Sequence, residues 1–116
     1  DWAEYCVWHL YPDCRVFLDG RFLSAYPRKV VRRYFGLLYG KAGWKRALTE
    51  YPTDIALVHR GNPAFELLIR RPEWAPAYMR GNECLFLNRK AHAAFLERLS
   101  RGAAVQPEMS PPYYFP

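Results

Sequence analysis

A chain of 116 residues and 13.7 kDa has room for one ordinary domain, and its 51% apolar and 24% charged residues exclude wholesale disorder. No run free of Asp, Glu, Lys and Arg exceeds eight residues, whereas a membrane-crossing helix needs about 20, so the chain does not itself span a bilayer. Seventeen Lys and Arg against eleven Asp and Glu leave a net charge of +6, which suits a phosphate-bearing ligand, an anionic lipid or a nucleic acid, and equally a solvated basic surface.

Trp2 to Leu10 reads as a short helix capped by Asp1, with Trp2, Tyr5, Cys6, His9 and Leu10 recurring at helical spacing. Tyr11-Pro12-Asp13 ends it. Arg15 to Gly20 (RVFLDG) is a compact apolar run closed by Asp-Gly, the pattern of a buried strand and turn. Pro27 suits the first turn of the next helix, in which Val30, Val31, Tyr34, Phe35 and Leu38 form one stripe. Arg28, Lys29, Arg32 and Arg33 fill its other side, and Gly40 stops it. A further helix covers about Gly43 to Tyr51, with Trp44, Ala47, Leu48 and Tyr51 on one face, and Pro52 breaks it.

Asp54 to His59 (DIALVH) is a second strand of the same buried character. Asn62-Pro63 opens a helix with Phe65, Leu68 and Ile69 inward, and Arg70-Arg71-Pro72 closes it. Trp74 to Arg80 and Glu83 to Arg89, separated by Gly81-Asn82, read as a hairpin with a type II′ turn, and Pro76 puts its first strand at an edge. Asn88 caps a last helix, Arg89 to Arg101, which Gly102 ends. The expected fold is therefore a single α/β domain over residues 1–102. It holds a small mixed sheet of about four strands: two parallel strands joined through helices, plus the hairpin. Residues 103–116 are Pro-rich and aperiodic and read as a tail.

Ligands of open α/β sheets sit beyond the strand C-termini. If the first two strands are parallel neighbours, Asp19 and His59 share an edge, where an acid beside an imidazole can orient a general base. Arg21 and Arg60 would hold an anion there. The structural reading of the same residues is that Asp19 accepts bonds from its own turn and pairs with Arg21. Cys6, His9 and Cys14 form only a partial metal set, short of the four ligands of structural zinc, and core packing of a Trp- and Tyr-rich helix is the favoured reading, so no metal is expected. Three cysteines cannot close a disulfide framework: one bridge with one buried thiol, or three buried thiols, both remain open. Trp2, Trp44 and Trp74 each fit an inward face, whereas Tyr113, Tyr114 and Phe115 fall in the tail. No Gly-rich phosphate loop occurs, so no cofactor is expected. Nucleic acid is a disfavoured partner, because no nucleic-acid motif accompanies the basic helix.

The run Asp1-Trp2, Tyr11-Pro12, Val16-Phe17-Leu18, Asp19-Gly20-Arg21 and Tyr26 resembles a pattern near the C-terminus of many bacterial polytopic membrane proteins. The order continues through Trp44, Leu48, Tyr51-Pro52-Thr53-Asp54, the IALV strand, Trp74 and the LFLNR segment, so the likeness covers about residues 1–89. Those proteins look like glycosyltransferases of the multi-pass C superfamily, related to dolichyl-phosphate-mannose protein mannosyltransferases. The resemblance implies a soluble, non-catalytic extracytoplasmic domain of a bacterial integral-membrane protein, whose catalytic carboxylates lie outside this chain. It implies the membrane-embedded part of the same polypeptide as partner, and a glycan acceptor or lipid-linked sugar near an edge carrying Asp19, Arg21 and Tyr26. Departures from the pattern are Ala3-Glu4, where small glycines are usual, and the longer Pro-rich tail. A chain that opens on Asp reads as an excised piece of a longer protein. The alternatives are a stand-alone module that binds an anionic ligand through Arg21, Arg60 and the basic helix, and a small hydrolase built on Asp19 and His59.

Overall fold

The computed structural model describes residues 2–102; the expected tail, 103–116, lies outside the described residues. Among the described residues the architecture is mixed, with five α-helices, one 3-10 turn and a three-stranded sheet. In chain order these are α1 (Trp2–Leu10), the 3-10 turn (Phe22–Ser24), α2 (Arg28–Leu38), α3 (Arg46–Glu50), β1 (Ile55–His59), α4 (Pro63–Ile69), β2 (Trp74–Arg80), β3 (Glu83–Asn88) and α5 (Ala93–Ser100).

The sheet runs β1-β3-β2 and is antiparallel throughout. The expected parallel pair therefore fails, and with it the fourth strand. Residues 15–20 form no strand: the chain there is irregular, although Leu18 and Asp19 are buried. The reason lies in where the apolar side chains go. The Phe17 ring packs edge-on against Tyr51 at 5.0 Å and lies 6.2 Å from Tyr34, so this run is sealed by rings from the helical side of the fold. A short apolar run reports burial, not pairing.

The hairpin stands where expected. Gly81 has φ +58 and Asn82 is not left-handed, which fits a turn needing positive φ only at its first position. β2 is an edge strand, and its register with β3 shifts between Pro76 and Tyr78, where the proline cannot donate to the ladder. β1 is the other edge. Its residues alternate between half-buried and exposed, so it is not the doubly buried strand its composition suggested.

The core gathers where α4 crosses the inner face of the sheet. Leu68, Trp74, Cys84 and Phe86 are buried together, with Leu48, Ala56, Val58 and Phe65 packed around them. Ile69, expected inward, is exposed. Asn62 and Pro63 open α4, as the sequence indicated. Helix α2 ends in a Schellman closure: Lys41 N–H donates to the Gly36 carbonyl at 2.8 Å and Gly40 N–H to that of Leu37 at 3.1 Å, with Gly40 at φ +62. The last helix is shorter than expected. Asn88 Oδ1 accepts from the backbone N–H of Lys90 and Ala91, which caps a turn rather than α5 itself.

Candidate functional site

The Asp19-Gly20-Arg21 segment and Tyr26 close into a knot around one carboxylate. Asp19 is 3% exposed. Its Oδ1 accepts from the backbone N–H of Arg21 at 3.0 Å and from Arg21 Nε at 3.0 Å. Its Oδ2 accepts from Arg21 Nη2 at 2.6 Å and from the Tyr26 hydroxyl at 2.8 Å. A buried charge requires this degree of pairing and bonding. The guanidinium bond to Arg21 is the main cause that holds the Asp19 carboxyl far below the ordinary carboxylate range, with help from the Arg21 amide and the Tyr26 hydroxyl. Burial, followed by the bond to Asp19, pushes the Tyr26 hydroxyl up. A carboxylate held so firmly ionised is a poor proton carrier near neutrality.

The knot shapes the segment that follows. Phe22 N–H donates to the Asp19 carbonyl at 3.2 Å, and the Phe22 carbonyl accepts from Ala25 and Tyr26. Phe22 itself sits at φ +40, a left-handed conformation rare for a bulky side chain. Its ring stacks on Phe35 of α2, with centroids 5.9 Å apart. Arg21, Phe22 and Leu23 are consequently held at the surface beside a rigid, buried anion.

His59 and Arg60 belong to a different cluster at the end of β1. His59 Nδ1 accepts from Gly61 N–H at 3.0 Å, and the Arg60 guanidinium lies 5.7 Å from the Phe65 ring centroid. Arg60 borders an open hollow of about 430 Å³, lined also by Tyr39, Asn62 and Glu66. No hydrogen bond or ion pair among the described residues joins Asp19 to His59. The shared strand edge on which that pairing depended is absent, because residues 15–20 are not in the sheet. Of the five candidate residues, the structure brings Asp19, Arg21 and Tyr26 together and keeps His59 and Arg60 apart from them.

Among the described residues, no three His, Cys, Asp or Glu side chains converge to hold a metal ion, and every buried side-chain polar atom has a partner. Cys6, Cys14 and Cys84 are free thiols. The basic stripe of α2 is partly neutralised: Arg33 and Lys29 both reach Glu50, at 2.9 and 3.2 Å. The bond from Arg33 is the first reason that the Glu50 carboxyl lies below its ordinary value.

Two features escaped the sequence reading. The strain at Phe22 leaves no residue-type signal, because a bulky residue is the last expected at positive φ. The other is α1, none of whose residues is buried: Trp2 is 52% exposed, Tyr5 55% and Trp8 85%. Its helical period was visible, but a period alone does not fix how deeply the apolar face is buried. No helix among the described residues is long and apolar enough to cross a membrane. Comparison of the chain with protein-family models, curated proteins and solved structures finds no match.

Proposed function

We propose that the chain is a non-catalytic extracytoplasmic domain of a bacterial integral-membrane glycosyltransferase-like protein, in which the Asp19 knot fixes an edge that faces the membrane part or the glycan acceptor. The observation that carries the reading is the state of the Asp19 carboxylate. It lies in the Asp-Gly-Arg segment on which the family resemblance centres, and every contact it makes is local and structural. Such a group organises a surface; it does not transfer protons. The buried side-chain polar atoms of the described residues are all satisfied from within, which suits a scaffold more than a reaction centre.

The test is the size and fractionation of the native gene product, detected with an antibody raised against this chain. A band several times larger than 13.7 kDa in the membrane fraction, resistant to carbonate washing, is expected. A soluble band near 13.7 kDa would overturn the reading. The stand-alone anionic-ligand module would then take its place, with Arg60 at the lip of the open hollow as its first residue to test.

A further inference from the structure

A second hollow, of about 150 Å³ and more enclosed than the one beside Arg60, lies at the end of the sheet where α3, the start of β2 and the end of β3 meet. Trp44, Thr49, Thr53, Trp74 and Asn88 line it. Trp74 is only 4% exposed, and no described residue offers its indole N–H an acceptor. Every fully buried side-chain polar atom among the described residues has a partner, so this N–H opens on solvent, and the hollow is where Trp74 meets it. An indole N–H sunk this deeply needs an acceptor from whatever fills the hollow.

The neighbours' own hydrogen bonds fix what the occupant must offer. Thr49 and Thr53 donate their hydroxyl protons to the Lys45 and Tyr51 carbonyls, at 3.3 and 2.8 Å, so toward the hollow each can only accept. Asn88 Oδ1 is taken by the Lys90 and Ala91 amides, so its Nδ2 can only donate. Lys45 Nζ, 5.9 Å from the Trp44 ring centroid, is a further donor. Arg71 is clamped to Glu73 through Nε and Nη2, at 2.8 and 2.6 Å, so that pair adds little net charge. An oxyanion only accepts and would leave both threonines unmatched. A hydroxyl both donates and accepts, and can replace the water that fills a polar hollow. The volume is about half that of the smallest pockets for drug-sized molecules, ~300 Å³, and suits one small ring. Trp44, half-buried, supplies an apolar wall. We infer that the hollow binds a single pyranose ring, whose hydroxyls accept from the Trp74 indole and the Asn88 amide and donate to Thr49 and Thr53. The inference deepens the glycosyltransferase-like reading above and rests on it for the source of the sugar, a glycan acceptor.

The experiment titrates the full chain with the methyl pyranosides of glucose, galactose and mannose, and separately with inorganic phosphate and acetate, following the Trp indole N–H signals by NMR. At least one pyranoside should shift the Trp74 signal saturably, with a Kd on the order of millimolar, the affinity open to one small ring. Asn88→Asp keeps the oxygen that caps Lys90 and Ala91 but deletes the Nδ2 donor. It should weaken binding about tenfold with the thermal midpoint unchanged. If that variant loses stability, Thr49→Val, at an exposed helix position, carries the same test. No shift up to about 100 mM sugar would overturn the inference and leave the hollow to water. Phosphate or acetate binding as tightly as any pyranoside would overturn it too, as would sugar binding that both variants leave intact. Its failure is distinguishable from failure of the parent reading. A large, carbonate-resistant gene product whose domain ignores every pyranoside sinks only the sugar site, and a small soluble product that binds one sinks only the parent.

Discussion

Asp19 concentrates the energetics of its loop in one side chain. Replacing it with Ala removes every charge-assisted bond from Arg21 and leaves Tyr26 without its acceptor. Arg21 is exposed enough to be resolvated by water, which limits the loss to about 3 kcal/mol of unfolding free energy. Tyr26→Phe should cost about 1 kcal/mol, because only one hydrogen bond is lost and the ring still packs. Chemical denaturation of both variants beside the parent chain checks the ratio. The pH dependence has a definite sign. Asp19 is depressed when folded, so its contribution is present above the unfolded value of about 4 and is lost as pH falls below it toward the folded value. Acid titration of stability should therefore slope downward below about pH 4 in the parent chain and less steeply in Asp19→Asn. An equal slope in both would show that the knot is not the acid-sensitive group. At this scale the sequence was readable wherever chemistry was local: an Asp-Gly-Arg run names both the acceptor and its donor two residues on. Tyr26 is seven residues from Asp19, and its bond depends on the turn at Phe22, which no residue type announced.

Elements bounded by Pro and Gly were legible because those residues act through backbone geometry alone. Gly40 ends α2 at positive φ, Pro63 starts α4, and Gly81 turns the hairpin. Gly40 is also tight: a Cβ there would meet Pro63 Cβ at 3.1 Å. Gly40→Ala combines left-handed strain with this contact and should destabilise the fold by about 1–2 kcal/mol, read as a lowered thermal midpoint. At Gly43, φ is +78 but nothing stands within 4 Å of the Cβ, so Gly43→Ala should cost less. Segments defined by hydrophobicity alone were less legible. The run from Arg15 to Gly20 and the run from Ile55 to His59 look alike as sequence, but the first is a buried loop under Tyr51 and the second an edge strand. Distinguishing them requires knowing which partner reaches β3 first, and that is decided by tertiary pairing.

Across the described residues the core is small and centred on one ring. Phe86 is fully buried beside Phe65 and Leu68, so Phe86→Ala should cost on the order of 3–5 kcal/mol. Cys84 shares that core, and burial raises its thiol above the ordinary value, so it is shielded both sterically and chemically. Titration with a thiol reagent should count two reactive groups in the reduced native chain and three after denaturation. Three in the native chain would mean that the sheet opens readily.

The position of β1 has a practical consequence. Both outer strands of a three-stranded sheet invite pairing with other chains, but β2 is guarded by Pro76 and its register shift, and ends in Arg80. β1 carries no proline and no Lys or Arg, and Ile55 and Leu57 are exposed along it. Its free edge meets no further strand among the described residues. In concentrated solution this short segment is where aggregation should begin. Leu57→Lys places a charge on that strand without touching the core, and should slow turbidity growth while leaving the thermal midpoint nearly unchanged.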